Sequence, residues 1–121
     1  MSQSEEVVIL YVPCGSEEEA ARVTSVLIEE GLIACGNIYS SRSLYRWQGK
    51  VADEAEYVLF AKTTPARANN AVRRIEQLHS YEVPCIATLK PASVNKAYAQ
   101  WVSGEVSRNE PLAGTGARSE G

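Results

Sequence analysis

The order of hydrophobic and polar residues predicts an α+β domain built from alternating strands and helices. Residues 7–12 are continuously apolar, which is typical of a central strand that is covered on both faces. A capping box at residues 16–19 precedes a helix whose apolar stripe runs over residues 20–27. A second helical stripe over residues 68–78 follows Pro65, a residue that is favoured in the first turn of a helix.

The remaining elements complete a β-α-β-β-α-β order with a terminal helix. Residues 83–89 predict a short last strand whose early proline suits a sheet edge, and residues 95–102 predict a shorter helix. Two right-handed crossovers would place both main helices on the same face of the sheet. The sequence thus predicts one domain over residues 6–103 and a polar C-terminal tail over residues 104–121.

Residues 37–64 are expected to form one long antiparallel hairpin that folds back at Gln48 and Gly49. Gly49 can adopt the left-handed conformation that the turn requires, and we expect a type I turn closed by a glycine bulge. Period-2 geometry puts Tyr45 and Trp47 on one face of the arm. The rising arm would extend roughly 30 Å, whereas the helix before it spans about 21 Å. The hairpin should therefore project beyond its own domain; the alternative is a bent arm that wraps back on the core.

The face of the sheet that the helices leave free is also expected to be apolar. The strands at residues 7–12, 57–61 and 85–87 stay hydrophobic at consecutive positions, unlike strands that alternate because one face is wet. On a monomer this face would expose a large apolar patch. Burial against copies of the same chain is the simplest solution, and the sequence therefore predicts an oligomer.

Composition excludes several classes of function for this chain of 121 residues. The net charge of −3 and the lack of a basic block argue against a nucleic-acid or anionic-membrane surface. The first six residues are acidic and polar, so no secretory signal is expected, and no apolar run approaches the roughly 20 residues that span a bilayer. Three cysteines cannot all pair, which argues against a disulfide framework and for a cytoplasmic protein.

Several short motifs occur together and in order: ACGNI at 34–38, SLYRWQGK at 43–50, KTT at 62–64 and HSYEVP at 79–84, with Tyr98 and Trp101. In this combination the chain resembles the CutA divalent-cation tolerance proteins. The resemblance implies a ferredoxin-like domain in a tight homotrimer, similar to the PII signalling proteins, whose hairpins reach across subunits. It also implies an association with tolerance to copper and other divalent metals, and no catalytic reaction. Residues 39–42 depart from the family pattern because they are one residue shorter and lack its Pro-Gly bend.

His79 and Cys85 are the leading candidates for metal contact, because imidazole and thiolate suit copper and zinc. His79 matches the position that the resemblance implies for metal contact, whereas Cys85 stands where many family members carry a glutamate. Cys14 precedes a helix N-terminus, a position that can lower a thiol pKa and favour metal capture. The alternative is structural: a histidine that ends a helix, and small strand or turn cysteines. Since no closed four-ligand spacing is present, a weak site shared between subunits is favoured.

A further group of aromatic and basic residues is expected to line either a ligand cleft or the trimer interface: Tyr45, Arg46, Trp47, Lys50, Lys62, Tyr81 and Trp101. A role in the trimer interface is favoured, because it explains the aromatic and basic residue types without a ligand. The sequence therefore predicts a non-enzymatic, cytoplasmic homotrimer that acts in divalent-metal (copper-type) tolerance and binds ions weakly between subunits, with no tightly bound cofactor. The alternative is a PII-like signalling module that binds a small anionic metabolite in inter-subunit clefts. Neither a nucleic-acid nor a membrane partner is expected.

Overall fold

The computed structural model describes residues 6–108 of the chain. Its elements are β1 (Val8–Cys14), α1 (Glu17–Glu29), β2 (Cys35–Trp47), β3 (Lys50–Thr63), α2 (Pro65–Leu78), β4 (Ala87–Leu89) and α3 (Lys96–Arg108). This order confirms the predicted ferredoxin-like α+β arrangement with a terminal helix and a long β2–β3 hairpin. Within the described range, no helix is long and apolar enough to cross a bilayer.

The four strands form one antiparallel sheet in the order β2-β3-β1-β4, which confirms the predicted central strand. β1 continues beyond its predicted end through Pro13 to Cys14, still in register with β3. β4 is shorter than the strand predicted over residues 83–89, because pairing with β1 begins only at Ala87. Pro84 has no N–H group to donate to a neighbouring strand, which agrees with the late start.

The terminal helix is longer than predicted and ends at Arg108, inside the predicted tail (104–121). Val106 is buried, and its carbonyl accepts a hydrogen bond of 3.1 Å from the Arg67 guanidinium. The predicted start of the tail is therefore wrong, because these residues are packed and bonded as part of the domain. Residues 109–121 lie outside the described part of the chain.

Both long helices pack on the same face of the sheet, as predicted. Their apolar side chains meet those of β1 and β3 in one buried cluster that includes Leu10, Leu27, Leu59 and Ile75. A smaller cluster around Val102 attaches α3. Fully burying an aliphatic side chain contributes about 1.5–3 kcal/mol, so this two-layer core is the main source of stability for the centre of the fold.

The other face of the sheet carries aromatic rings. Tyr11 and Phe60 are paired across β1 and β3 and so point to the same side, where their rings meet edge to face at 5.6 Å. Tyr39 of the edge strand β2 contacts Phe60 at the same ring distance and is 59% exposed. This face is apolar, as predicted, although Tyr11 and Phe60 are half-buried within one subunit.

The β2–β3 hairpin has a continuous register up to its turn, where Trp47 pairs with Lys50. Gln48 and Gly49 have φ values of 52° and 80°. Two positive values define a type I′ turn, so the predicted type I turn with a glycine bulge is wrong. The primed turn matches the right-handed twist of the flanking strands. Residues 39–42 continue β2 in full pairing with β3, without the bend of the family pattern.

The hairpin projects beyond the rest of the sheet. Pairing between β1 and β3 ends at Cys14 and Tyr57, whereas β2 and β3 pair for seven more residues on each strand, from Ser41 and Glu56 to the turn. At roughly 3.4 Å per residue this extension is about 20 Å long. The projection predicted from strand length is therefore confirmed.

A buried carboxylate ties the N-terminus of α1 to the connection after α2. Ser16 caps α1 by accepting from the Glu19 N–H at 3.0 Å. The Glu19 carboxylate accepts from the Gly15 N–H at 3.1 Å, the Ser80 N–H at 2.7 Å and the Ser80 hydroxyl at 3.1 Å. Burial opposes the charged form, but the hydrogen bonds from Ser80 and Gly15 outweigh it and hold the pKa of Glu19 below its usual range. The link fixes the start of the α2–β4 connection.

Gly36 is packed so closely that an added methyl group should destabilise the fold. A Cβ atom there would lie 2.7 Å from Leu59 Cδ1 and 2.9 Å from Thr24 Cγ2, both on buried side chains. We expect Gly36→Ala to lower the free energy of unfolding by about 1–3 kcal/mol, the usual cost of overpacking. Gly104→Ala is the control, since no described atom outside its chain neighbours and the adjacent backbone of its own helix lies within 4 Å of its Cβ position, and alanine should stabilise α3 by up to about 1 kcal/mol. Chemical denaturation at equal protein concentration measures the free energy of unfolding of both variants and of the native protein. A Gly36→Ala variant as stable as the native protein would contradict the close packing.

Replacing Glu19 by Gln should remove a pH-dependent part of the stability. Because the pKa of Glu19 is lowered from 4.5, its charged form contributes stability above that value, and the contribution is lost as the pH falls through the folded-state pKa. We expect Glu19→Gln to cost about 1–3 kcal/mol near neutral pH, with the difference shrinking at pH values below 4.5. Urea denaturation over a range of pH measures the difference. Glu18→Gln, at an exposed position in the same turn, is the control. If the difference in unfolding free energy between the native protein and Glu19→Gln did not change with pH, the stabilising role of the Glu19 charge would be refuted.

Candidate functional site

An open cleft of about 860 Å³ lies between the projecting hairpin and the α2–β4 connection. The hairpin forms one wall. Residues 81–83 and Cys85 contribute the other wall, and β1 adds Tyr11 and Pro13. The cleft exists because the hairpin continues past the end of β1, which leaves the space beside it unfilled by the sheet. Its volume lies in the range of about 300–1,000 Å³ that is usual for small-molecule sites.

Two carboxylates on the hairpin wall are held by hydroxyl groups. Glu54 and Glu56 are two residues apart on β3 and therefore share a face. The Tyr45 hydroxyl donates to Glu54 at 3.0 Å. The Ser43 and Tyr81 hydroxyls donate to the two separate oxygens of Glu56, at 2.6 and 2.8 Å. In the described part of the chain, no lysine or arginine forms an ion pair with either glutamate.

The charges in the cleft favour a cation over an anion. Arg42 contributes to the lining, but the strand register puts its side chain on the hairpin face opposite to Glu54 and Glu56, where its guanidinium binds the Asp53 carboxylate through two bonds of 2.9 and 2.8 Å. Glu82 adds a further carboxylate to the lining. Burial and the hydrogen bond to Glu56 raise the pKa of Tyr81 well above its ordinary value, so its phenol keeps the proton and remains a donor. The cleft therefore offers acidic oxygens that form no ion pair with a lysine or arginine of residues 6–108.

His79 does not face the cleft. Its side chain is 0% exposed, and Nε2 lies 2.8 Å from the Pro13 carbonyl, which can only accept. Nδ1 lies 3.1 Å from the Tyr81 N–H, which can only donate. These partners require the neutral tautomer with the proton on Nε2, so the Glu19 oxygen 3.6 Å from Nδ1 is a neighbour rather than a hydrogen-bond partner. Both ring nitrogens are occupied, which argues against the predicted metal contact.

The two cysteines that were candidate ligands lie in different environments. Cys14 is fully buried, and burial, followed by the charges of Glu19 and Glu56, raises the pKa of its thiol to about 11. This is opposite to the expected effect of the helix N-terminus. Cys85 is exposed and lines the cleft. No three His, Cys, Asp or Glu side chains of the described residues stand close enough together to hold a metal ion, so His79, Cys85 and Cys14 do not form one centre.

Of the residues predicted for a cleft or an interface, three line the cleft: Tyr45, Trp47 and Tyr81. Arg46 lies on the opposite face of the hairpin, because side chains alternate along a strand. Lys50 is exposed beside the turn, and Lys62 donates to the Asn37 side chain. Trp101 lies on α3, 45% exposed and outside the cleft lining. The basic residues Arg46, Lys50 and Lys62, which the ligand-cleft alternative would place around an anion, therefore do not converge on the cleft.

Sequence reasoning missed the residues that give the cleft its charge. A two-residue turn places Tyr45 opposite Ala52 and Ser43 opposite Glu54. The alternation that puts Tyr45 and Trp47 on one face therefore puts Glu54 and Glu56 on the same face. Counting the register from the turn would have found both carboxylates.

The comparisons with known proteins agree with this geometry. A family model described as CutA1 divalent ion tolerance protein matches residues 8–105. The chain is 42% identical over 99 residues to the divalent-cation tolerance protein CutA of Thermus thermophilus. The aligned residues cover 81% of this chain and 94% of the relative. It is 32% identical over 102 residues to the CutA protein of Pyrococcus horikoshii, which covers 84% of this chain and all of the relative, 100%.

Solved structures show the same architecture. The divalent ion tolerance protein CutA1 of Ehrlichia chaffeensis superposes with a TM-score of 0.83 at 32% identity, covering 87% of this chain and 98% of that one. The protein from Archaeoglobus fulgidus, described as a periplasmic divalent cation tolerance protein, gives a TM-score of 0.80 at 29% identity, covering 83% and 98%. Because the family model and the relatives span almost the whole described domain, this chain belongs to the CutA1 divalent ion tolerance protein family.

Proposed function

We propose that this protein is a non-enzymatic, cytoplasmic homotrimer that contributes to divalent-cation tolerance by binding divalent ions, of the copper type, weakly at sites between subunits. Membership in the CutA1 family supports the role in tolerance. Its relatives are named for tolerance rather than for a catalysed reaction, which supports a non-enzymatic role.

The observation that carries the proposal is the pair of carboxylates on the cleft wall. Glu54 and Glu56 share a face, are fixed by hydroxyl donors and have no cationic partner among the described residues. Carboxylate oxygens are common ligands of divalent cations. A divalent ion in the cleft would neutralise a charge that this part of the chain leaves uncompensated.

The donor count supports a weak site that is shared between subunits. The described part of one chain lacks a group of three candidate ligands. An ion held by the two carboxylates would therefore keep water at its other positions or take donors from a second copy. Either arrangement gives lower affinity than a closed site of four protein ligands.

The exposed residues of the hairpin support assembly. Leu44 and Val51 are 60% and 67% exposed, and the strand register puts them on one face. Trp47, on the opposite face, is 62% exposed. An arm with large apolar side chains on both faces needs cover on both. A homotrimer in which each hairpin lies against its neighbours would provide that cover.

The alternative function, a PII-like module for a small anionic metabolite, has one favourable observation. The cleft is of small-molecule size. An anion there would, however, face Glu54, Glu56 and Glu82, while Arg42 is already bound to Asp53. Because the carboxylates of the cleft would repel an anion, the signalling function is less well supported than cation binding.

Assembly is tested by placing charges on the exposed hairpin. We expect the native protein to sediment as a trimer at micromolar concentration and the double variant Leu44→Glu/Val51→Glu to dissociate, because the charges would have to be buried at the interface. Ile28→Glu is the matched control, since Ile28 is a 39% exposed apolar residue on α1. Sedimentation velocity distinguishes the species, and a native monomer at this concentration would contradict the proposed homotrimer.

Ion binding is tested by neutralising the two carboxylates. We expect the double variant Glu54→Gln/Glu56→Gln to bind Cu²⁺ and Zn²⁺ about tenfold more weakly or worse, equivalent to a loss of about 1.4 kcal/mol or more. Glu76→Gln, an exposed carboxylate on α2, should bind like the native protein. Isothermal titration calorimetry measures each affinity.

The same samples separate the two functions. Ligands that bind only the folded state raise its melting temperature, so a thermal-shift screen with nucleotides and carboxylates tests the alternative. Unchanged ion affinity in the double variant would rule out the carboxylate site. Stabilisation by an anionic metabolite, without a response to either metal ion, would favour the signalling function instead.

A further inference from the structure

The hydrogen bonds of His79 continue into the cleft. Nδ1 of His79 accepts from the Tyr81 N–H, and the Tyr81 hydroxyl donates to Oε2 of Glu56. The ring centroids of His79 and Tyr81 also lie 4.7 Å apart, and the ring planes are inclined by 61°. Ser43 donates to Oε1 of the same carboxylate. Each oxygen of Glu56 is thus held by one hydroxyl, and one of those hydroxyls belongs to the residue that His79 fixes.

We propose that His79 is a positioning residue for the cleft and not a metal ligand. The neutral ring, bonded to the carbonyl of Pro13 in β1, fixes the backbone of Tyr81, and Tyr81 in turn orients the Glu56 carboxylate. This inference rests on the proposed function only for the identity of the bound ion. It departs from the resemblance, which implied direct metal contact by His79.

Direct coordination by His79 conflicts with its bonding. A metal ion needs the lone pair of a ring nitrogen, but Nδ1 already accepts from the Tyr81 N–H, and the Nε2–H group donates to the Pro13 carbonyl. Coordination would leave the Tyr81 N–H or the Pro13 carbonyl without its partner beside a fully buried ring, and unpaired buried groups are costly. Pro13 is held within β1 by its register with Val58, so the ring cannot easily follow a ligand outward.

The hydrogen-bond donors that orient a ligating carboxylate affect its affinity for a metal ion. Groups that hydrogen-bond to a metal ligand typically change metal affinity by about 10–100-fold when they are replaced. Glu56 receives such bonds from Ser43 and Tyr81. Loss of the His79 bonds should therefore act on the ion through Tyr81, without any contact between imidazole and metal.

The first test records the ring nitrogens of His79 by long-range ¹H–¹⁵N NMR, with and without Zn²⁺. Because the chain contains one histidine, the ring signals need no assignment. We expect the neutral Nε2–H pattern near neutral pH, unchanged at saturating Zn²⁺, while the backbone signals of Glu54 and Glu56 shift. A large shift of either ring nitrogen on zinc addition would overturn the inference, as would the opposite tautomer.

The second test measures Zn²⁺ affinity by calorimetry in three variants. His79→Ala removes both bonds, Tyr81→Phe removes only the hydroxyl that reaches Glu56, and His79→Gln keeps a donor and an acceptor on one amide. We expect a loss of about tenfold or more for His79→Ala and Tyr81→Phe, and affinity near that of the native protein for His79→Gln. Tyr98→Phe is the matched control, because that phenol contacts Cys35 and does not line the cleft.

Coupling between the residues separates positioning from general damage to the fold. If His79 acts through Tyr81, the double variant His79→Ala/Tyr81→Phe should bind no more weakly than the worse single variant. Additive losses, or a His79→Gln variant that loses as much as His79→Ala while remaining folded, would refute the inference. If no variant and no native sample binds zinc, the proposed function fails. The inference is then decided by the ring tautomer and by protection of the Tyr81 amide from hydrogen exchange, which should be lost in His79→Ala and kept in His79→Gln.

Discussion

The β2–β3 hairpin is longer than the sheet that supports it, and the other features of the molecule depend on this mismatch. Past Cys14 and Tyr57 the two arms pair only with each other among the described strands. Leu44, Val51 and Trp47 remain exposed there, so the roughly 1.5–3 kcal/mol that burial of each could contribute is not realised in one subunit. The same projection leaves open the space that becomes the cleft. The exposed apolar arm and the cleft therefore have a common cause in strand length.

The opposite wall of the cleft depends on buried polar groups rather than on the sheet. β4 provides only three paired residues, so strand pairing holds little of the α2–β4 connection. Glu19 binds Ser80 at one point, and His79 binds the carbonyl of Pro13 at the next. Breaking such a bond leaves a buried group unpaired, at a cost of about 1–3 kcal/mol. These contacts set the position of Tyr81, and hence the geometry of the carboxylate across the cleft.

Periodicity predicted the element order, the shared face of the helices and the projecting hairpin, because each follows from local spacing and length. It failed where the outcome depends on contacts distant in sequence. The partner of His79 is Pro13, 66 positions away, and no local motif could show that both ring nitrogens would be occupied. The predicted turn type was wrong, because the presence of Gly49 does not reveal that Gln48 also takes a positive φ. Glu54 and Glu56, by contrast, follow from the register once the turn is known to have two residues.

The donors that remain in the cleft decide which ions it suits. Carboxylate oxygens favour hard cations such as Mg²⁺, Ca²⁺ and Mn²⁺, whereas copper prefers imidazole and sulfur. With both nitrogens of His79 occupied, Cys85 is the soft donor on the cleft lining. Its exposed thiol adds a sulfur donor to a lining whose acidic groups are carboxylates. A preference for copper-type ions would therefore come from Cys85 acting together with Glu54 and Glu56, within one subunit or across two, and without the thiol the carboxylates would select by charge and size alone.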